Sequence, residues 1–157
     1  MSILIKSAKI IDASSKFNGK TKDIFINQGK IQEIADCIVK KSAQEINLEN
    51  LHVSQGWLDT SVSFGEPGLE ERETIENGSL TACLSGFTDI ILNSNTLPVI
   101  DSKADVIYVK SKNKNKALKI HPLGALTLKS EGSEMAELRE MFDSGAVGFY
   151  DYKMSVK

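Results

Sequence analysis

Residues 56–68 read Gly-Trp-Leu-Asp-Thr-Ser-Val-Ser-Phe-Gly-Glu-Pro-Gly, and they lie where the pattern of the chain changes. Gly56-Trp57-Leu58-Asp59 is a short apolar run that predicts a strand. Polar residues and glycines follow it, which predicts a loop. Before this point the sequence predicts strands and turns only, and after it strands alternate with helices. The change predicts two parts, an N-terminal β portion at 1–54 and an α/β portion at 55–157.

The α/β portion is predicted as a repeating strand and helix pattern, which favours parallel strands joined by crossover helices. After the strand at 56–59, the predicted strands are Thr88–Leu92, Ala117–Leu123 and Ala146–Tyr150. The predicted helices are Thr74–Leu84, Lys103–Lys116 and Ser133–Phe142. In the first, the residues expected to face the sheet are Ile75, Leu80, Cys83 and Leu84. In the third, Ser133 is the expected N-cap, and Met135, Leu138 and Phe142 lie on one face.

The N-terminal portion alternates apolar and polar residues over Ser2–Ile11 and again over Asp23–Asn27. Gln28-Gly29-Lys30 then predicts a hairpin turn into Ile31–Ile34. This pattern is typical of a small β domain and carries no evident chemistry.

Composition excludes several classes of protein. The chain has 157 residues, a formal net charge of -2 and 41% apolar residues, as expected of an ordinary globular protein. No polybasic run indicates a nucleic-acid partner, and no apolar run reaches the roughly 20 residues of a membrane helix. The amino terminus lacks the apolar length of a signal peptide, so a cytoplasmic location is expected. Cys37 and Cys83 belong to no Cys-x-x-Cys pair and are interpreted as thiols.

Several sequence blocks resemble the dihydroorotase family in order and spacing. Residues 59–68 resemble its Asp-x-His-x-His-x-Arg-Glu-Pro-Gly signature, and the Glu-Thr-Ile-Glu-x-Gly block at 73–78 follows as in that family. The further blocks are Ser85-Gly86-Phe87-Thr88, Asn95-Thr96-Leu97-Pro98-Val99-Ile100-Asp101, Pro122-Leu123-Gly124-Ala125-Leu126-Thr127 and Gly145-Ala146-Val147-Gly148-Phe149-Tyr150-Asp151. The resemblance implies an amidohydrolase-type (β/α)8 barrel preceded by a small β-sandwich portion.

Four predicted strands make only the first half of such a barrel, which typically takes roughly 250 residues. An open half-barrel would expose apolar strand edges at 56–58 and 149–150. We therefore expect a truncated product, a proteolytic fragment, a homo-oligomer or a half that pairs with a second half.

The resemblance places the first metal-binding pair of the family at Ser61 and Ser63, where active members carry histidines. A serine hydroxyl is a weak ligand for zinc, so these residues do not replace two imidazoles. Gly65 occupies the position of an arginine that resembles a clamp on the substrate carboxylate, and glycine makes no such bonds. No catalytic residue and no metal ligand is predicted here, and Ser61, Ser63 and Gly65 are interpreted as a vestigial site.

The end of the fourth strand departs from the family in the same way. Active relatives carry Phe-x-Asp-Asp-Gly, whereas this chain has Phe149-Tyr150-Asp151-Tyr152-Lys153. Asp151 matches the first aspartate, and Tyr152 replaces the second, which the resemblance implies is a metal ligand. Tyr152 therefore joins the vestigial site, with Asp151 either a remnant of it or a solvated loop carboxylate.

The remaining candidates have ordinary structural interpretations beside their functional ones. Asn95 matches a family asparagine that resembles a substrate contact, or it forms a turn held by its own backbone. His52 and His121 do not match the metal histidines and are interpreted as structural. The acidic run 66–76 is interpreted as a solvated loop and helix start, and the basic run 110–119 as an exposed helix face.

Two functions remain open. In the first, the chain is a catalytically inactive dihydroorotase-like protein of pyrimidine biosynthesis without a cofactor, retained as a structural or partner-binding subunit; the resemblance implies aspartate transcarbamoylase as a partner. In the second, it is part of a zinc-dependent amidohydrolase that hydrolyses a cyclic amide, and residues beyond this sequence complete the metal site.

Overall fold

The computed structural model describes residues 1–114 and 117–156. These residues fold into two compact units, Met1–Gln55 and a second unit from Gly56 onward. Within the described residues no helix combines the length and the hydrophobicity needed to cross a bilayer.

The first unit is a five-stranded sheet in the order β3-β2-β1-β4, with β5 also paired to β1. Its strands are β1 Ser2–Ile11, β2 Thr21–Asn27, β3 Lys30–Ala35, β4 Gln44–Ile46 and β5 His52–Ser54. β1 to β3 form an antiparallel meander, and β4 and β5 pair parallel to β1. The predicted hairpin is confirmed, because β2 and β3 pair up to Asn27 and Lys30.

One buried carboxylate organises this sheet. Asp23 is 2% exposed, pairs with Lys6, and accepts hydrogen bonds from the backbone amides of Ser7 and Ile38, both at 2.9 Å. Ser7 lies at the irregularity in the β1–β2 register and has a φ of 52°, so its amide turns toward Asp23. Burial alone would raise the pKa of Asp23, but these hydrogen bonds and Lys6 together hold it below its ordinary value.

The second unit is a four-stranded, fully parallel sheet in the order β6-β7-β8-β9. Its elements in chain order are β6 Trp57–Val62, α1 Ile75–Leu84, β7 Phe87–Leu92, α2 Lys103–Lys112, β8 Lys119–Gly124, α3 Leu138–Asp143 and β9 Gly148–Phe149, with a 3-10 turn at Leu128–Ser130. The predicted alternation of parallel strands and helices is confirmed.

The core of this unit lies between the sheet and the helices. Buried side chains of the helices pack on buried side chains of the strands, including Ile75, Val106 and Met141 from helices and Ile90 and Leu92 from β7. Two capped helix starts fix the helices on this sheet: Thr74 accepts the amide of Asn77, and Ser102 and Asp105 form a reciprocal capping box.

The face of α1 that packs on the core agrees with the predicted one at Ile75 and Cys83 but not at the two leucines. Leu80 and Leu84 are 52% and 80% exposed, whereas Ile75, Gly78 and Ser79 are buried. A Cβ atom on Gly78 would lie 2.3 Å from Cε1 of Phe64, so only glycine admits this ring against the helix. The packed face therefore combines Ile75 and Cys83 with the small residues Gly78 and Ser79, in place of the two leucines.

The third predicted helix is wrong over its first half. α3 begins at Leu138, and the segment before it pairs with the preceding loop: Ala136 N donates to Leu126 O at 3.0 Å, and Thr127 forms a bridge with Met135. Ser133 therefore caps no helix. Met135 and Phe142 are exposed, and Met141 is the residue that enters the core.

The second predicted helix is shorter than expected, because α2 ends at Lys112. Residues 115 and 116 of that prediction lie outside the described residues. The fourth strand is also short, but Tyr150 N donates to Gly124 O at 2.9 Å and extends its pairing with β8 by one residue. As expected for an open parallel sheet, Trp57 and Leu58 at its β6 edge are 58% and 53% exposed.

Candidate functional site

The candidate site lies at the carboxyl ends of β6 and β7, where Asn93 joins the two serines. Its side-chain Nδ2 donates to Ser61 Oγ and to Ser63 Oγ, each at 3.1 Å. Asn93 is 3% exposed, and its backbone amide donates to Val62 O at 2.8 Å. Parallel strands end at the same edge of a sheet, so the residue directly after β7 meets the end of β6.

The structure also brings Tyr152 to this cluster. Its ring makes an edge contact with Tyr150 at 6.2 Å between centroids, and Lys153 Nζ lies 5.1 Å from the ring centroid. The hydrogen bond from Ser63, and after it Lys153, lower the pKa of Tyr152 from its ordinary value. Three of the predicted site residues, Ser61, Ser63 and Tyr152, are thus neighbours.

Sequence reasoning missed Asn93, although a signal for it existed. The residue follows the apolar run of β7 directly, and at the ends of parallel strands such polar residues meet each other. Ser94 belongs to the same segment: it is 1% exposed, and its hydroxyl donates to Tyr150 O at 3.1 Å.

The burial of Asp151 decides between its two sequence-based interpretations. The carboxylate is 2% exposed, so its interpretation as a solvated loop group is wrong. Oδ1 accepts the amides of Leu126 and Thr127 at 2.9 and 3.0 Å, and Oδ2 accepts the Thr127 hydroxyl at 2.6 Å. Burial raises the pKa of Asp151, but these hydrogen bonds outweigh it and hold the pKa below the ordinary value. Asp151 thereby anchors the loop after β8.

Gly65 lies in a closed turn that leaves no room for a side chain. Its amide donates to Glu73 O at 2.9 Å, and its carbonyl accepts the amide of Leu69 at 2.9 Å. A Cβ atom built on Gly65 would lie 1.7 Å from Leu69 O and 3.2 Å from Arg72 Cβ. This backbone path is therefore specific to glycine at position 65.

Asn95 lines an open cavity of about 330 Å³ together with Tyr152, Lys129 and Ser130. Its Oδ1 is buried and accepts no hydrogen bond within residues 1–114 and 117–156. The turn around it is closed by backbone bonds instead, with Thr96 N and Ile100 N both donating to Ser94 O. Asn95 therefore lies in a turn, as its alternative interpretation predicts, but backbone bonds rather than the Asn95 side-chain oxygen close that turn.

Glu66 is an exception to the interpretation of the acidic run as solvated, which holds for the exposed Glu70, Glu71 and Glu76. It is 8% exposed; Oε2 accepts the Ile75 amide at 2.9 Å, and Oε1 lies 3.1 Å from both the Tyr108 hydroxyl and Lys112 Nζ. Burial raises the pKa of Glu66, but the Ile75 amide, Lys112 and Tyr108 together lower it below the ordinary value. The carboxylate thus joins the first turn of α1 to α2.

The two histidines lie away from the serine cluster in sequence and in contacts. His52 Nδ1 lies 2.7 Å from Asn50 O, and His121 Nε2 lies 2.8 Å from Asp89 Oδ1 on the neighbouring strand. The hydrogen bond with His121, followed by that with Thr88, lowers the pKa of Asp89. Both histidines have the structural contacts expected of them.

The donors at the strand ends do not fit a zinc ion. Ser61, Ser63 and Asn93 offer two hydroxyls and one carboxamide, all without charge, and their hydrogen bonds join them to one another. Zinc sites in proteins use thiolates, imidazoles and carboxylates. Among the residues that the structure describes, no group of three or more His, Cys, Asp or Glu side chains is placed to hold a metal.

Comparison with known proteins identifies the family. The family model described as dihydro-orotase-like matches residues 51–157. The chain belongs to the dihydro-orotase-like family. It is 36% identical over 158 residues to a dihydroorotase of Pelotomaculum thermopropionicum, covering 99% of this chain and 36% of that protein. It is 38% identical over 148 residues to a dihydroorotase of Clostridium botulinum, covering 94% of this chain and 36% of the relative. The chain therefore spans about a third of the length of these curated relatives.

Solved structures of related enzymes share the fold. An L-hydantoinase (dihydropyrimidinase) from Arthrobacter aurescens matches with a TM-score of 0.77 at 22% identity, over 94% of this chain and 32% of that chain. A crystal structure of a dihydroorotase matches with a TM-score of 0.62 at 14% identity, over 94% of this chain and 41% of that chain. This chain shares with both structures an α/β fold, and its four parallel strands form the first half of an amidohydrolase-type (β/α)8 barrel.

Proposed function

We propose that this chain is a catalytically inactive dihydroorotase-like protein associated with pyrimidine biosynthesis, retained as a structural or partner-binding subunit. The observation that supports it is the Asn93 carboxamide, which donates to both Ser61 and Ser63. Two hydroxyls that accept from one amide already have a partner and carry no charge. A zinc ion would have to displace that partner and would gain only weak ligands in return.

The neighbouring positions favour the same proposal. Gly65 stands where the family resemblance implies an arginine, and its turn excludes a side chain. Tyr152 stands where the resemblance implies a carboxylate, and a phenol whose ordinary pKa is about 10 is a poor metal ligand near neutral pH. In active relatives the metal activates a water and polarises the amide carbonyl, and the arginine holds a carboxylate. The residues of this chain offer neither group at this strand end.

A partner-binding role is favoured by the exposed apolar side chains of β6. Trp57 and Leu58 are 58% and 53% exposed on an edge strand, and such edges usually pair or are covered. We propose aspartate transcarbamoylase as the partner, on the family resemblance alone. A second half-barrel or a second copy of the chain would cover the same edge.

The second candidate is a zinc-dependent dihydroorotase whose metal site is completed by residues beyond this sequence. The identities of 36% and 38% to proteins named dihydroorotase favour it. In that case the first strand would contribute no ligand, and the remaining ligands would bind the metal alone.

Zinc stoichiometry and activity, measured on the full-length protein, separate the candidates. The protein is equilibrated with zinc, freed of excess metal and analysed for bound zinc, and hydrolysis of dihydroorotate is then followed. We expect less than stoichiometric zinc and no turnover. The matched comparison is Ser61→Ala/Ser63→Ala: if the wild-type protein binds zinc tightly and turns over, and the double variant does both equally well, the second candidate is correct.

The partner is tested in a separate experiment. Co-purification with aspartate transcarbamoylase is compared for the wild-type protein and for Trp57→Ser/Leu58→Ser, with exposed Met135→Ser on another element as control. We expect the β6 variant to lose the complex and the control to keep it. If all three proteins co-purify equally with aspartate transcarbamoylase, the exposed side chains of β6 do not support a partner-binding role.

A further inference from the structure

An open cavity of about 210 Å³ lies between α1 and the outer strand β6. The described residues that line it come from β6 and the loop after it, from β7, and from α1 with its flanking residues. Neither α2 nor α3 contributes to its lining. Parallel sheets are normally covered by helices, so this cavity, called the β6 groove below, marks the place where the helical layer stops at the open edge of the sheet.

The walls of the β6 groove are mostly apolar. Phe64, Ala82, Phe87 and Ile90 are among the residues that line it. The ring of Phe87 makes an edge contact with the ring of Trp57, at 5.9 Å between centroids, and Trp57 is 58% exposed. Apolar surface therefore continues from the groove to an exposed aromatic side chain on the edge strand.

Two carboxylates also line the β6 groove, and neither forms an ion pair within residues 1–114 and 117–156. Asp59 accepts the Ser61 amide at 3.0 Å. Glu73 accepts the Thr74 amide at 2.9 Å and the Asn77 carboxamide at 3.0 and 3.2 Å. All of these donors are neutral, and no Lys, Arg or His is among the described residues that line the groove. The groove therefore combines apolar walls with unpaired negative charge.

We propose that the β6 groove is a docking site for an amphipathic helix of a partner protein, and that the apolar face of this helix carries a lysine or arginine that pairs with Asp59 and Glu73. The proposal rests on the proposed partner-binding function and names the element of the partner that is bound. A helix fits because the groove lies beside α1, and neighbouring helices pack at about 8–10 Å.

The basic residue follows from the charge of the groove. A partner that covers Asp59 and Glu73 removes water from both carboxylates, and a purely apolar helix would leave them without compensation. An acidic helix would add like charges and is excluded by repulsion. A single cation within an apolar stripe satisfies both the walls and the carboxylates.

Synthetic helical peptides test the groove in the full-length protein. One peptide carries leucines at positions i, i+3, i+4 and i+7 with an arginine in the same stripe, and two matched peptides carry glutamate or glutamine in place of the arginine. Trp57 fluorescence reports burial beside the groove, and Trp57→Phe identifies its emission. We expect the arginine peptide to shift this emission to the blue and to bind at least about tenfold more tightly than the glutamate peptide.

Variants of the groove separate its charge from its shape. Asp59→Asn/Glu73→Gln keeps acceptors for the backbone amides but removes both charges, so the preference for arginine over glutamate should fall to less than about twofold. Thr81→Arg places a long cationic side chain in the groove from the exposed side of α1 and should abolish peptide binding. Ser111→Arg, on the exposed side of α2, is the matched control and should bind as the wild-type protein does. Both arginine variants should keep a Tm close to the wild-type value.

The outcomes distinguish this inference from the proposed function. Equal binding of the three peptides, an unshifted Trp57 emission, or binding that survives Thr81→Arg overturns the docking site. A Trp57 emission typical of a buried residue in the free full-length protein, without peptide binding, also overturns it, because the chain's own residues then fill the groove. Peptide binding that Thr81→Arg abolishes supports the docking site even if aspartate transcarbamoylase does not co-purify, which refutes only that partner. Tight zinc with turnover refutes the proposed inactivity, whatever the peptides do.

Discussion

A Cβ atom on Gly65 would lie 1.7 Å from the backbone carbonyl oxygen of Leu69. Real Cβ atoms do not approach a backbone oxygen so closely, and the oxygen belongs to a turn closed by the bond between Leu69 N and Gly65 O. The loop after β6 therefore follows a path that a side chain at position 65 would disrupt. An arginine at this position requires a different loop conformation.

Gly65→Ala is expected to destabilise the protein by about 3 kcal/mol or more, because the turn must open to admit one methyl group. Denaturant unfolding measures the change. Gly148→Ala is the control, since its Cβ would meet only the flexible Leu123 Cδ2 at 3.2 Å. If Gly65→Ala lowers the free energy of unfolding no more than Gly148→Ala does, the loop after β6 adapts to a side chain at position 65.

Ser61→His/Ser63→His rebuilds the pair of imidazoles that the family resemblance implies, but it removes both acceptors of the Asn93 amide. We expect no turnover of dihydroorotate from this variant, and none after Gly65→Arg is added. Activity would require Tyr152→Asp as well, together with the second half of a barrel. Product formation and bound zinc are measured for each variant.

The control for this series is Ser61→Asn/Ser63→Asn, which adds polar bulk at both positions without imidazole. It should bind no more zinc than the wild-type protein. Sustained hydrolysis by the histidine variant alone would mean that the end of β9 and the rest of the barrel matter less than proposed.

The alternation of strands and helices was predictable because apolar runs and turn residues are local signals. The predicted strand Thr88–Leu92 and the predicted helix Thr74–Leu84 each differ by one residue from β7 and α1. The packed face of α1 was predictable at Ile75 and Cys83 but not at Gly78, which is buried by the approach of Phe64 from the loop after β6. Likewise α3 starts late because the preceding segment pairs with the loop at 126–128.

The candidate site was predictable in part. The resemblance pointed to Ser61, Ser63 and Tyr152, which are neighbours in the structure. It gave no weight to Asn93, because this residue belongs to none of the sequence blocks that carry the resemblance. The burial of Asp151 and Glu66 was also missed, since it depends on amide groups that the loops direct toward them.

Asp151→Asn is expected to destabilise the protein by about 1–3 kcal/mol near neutral pH, because Asn has one acceptor oxygen for donors that now share two. The pKa of Asp151 is lower in the folded protein than in the unfolded chain. Its contribution is therefore full above the unfolded value of about 3.9 and is lost as pH falls through the lower folded value.

Denaturant unfolding between neutral pH and the acid limit measures this effect. The difference between wild-type protein and Asp151→Asn should shrink as pH falls below about 4. Asp143→Asn is the control, because Asp143 is exposed and pairs only with exposed Arg139, a contact worth about 0–1 kcal/mol. A difference that stays constant with pH would show that Asp151 contributes by shape rather than by charge.

Glu66 is expected to stabilise the protein by joining α1 to α2. Glu66→Gln should cost about 1–3 kcal/mol, because the carboxylate accepts the Ile75 amide in the first turn of α1 and also meets Tyr108 and Lys112 on α2. Lys112→Met should cost less than Glu66→Gln, since the Lys112 side chain is 44% exposed and its charge is screened by water and salt.

Unfolding of the two single variants and the double variant forms a cycle that isolates the pair. Glu76→Gln is the matched control, because Glu76 lies exposed in the same helical turn. The pKa of Glu66 is lowered in the folded state, so its contribution should be complete above about pH 4.3 and decline as pH falls below that value. Equal losses of stability in Glu66→Gln and Glu76→Gln would mean that a negative charge near the N-terminus of α1, rather than burial between two helices, accounts for the effect.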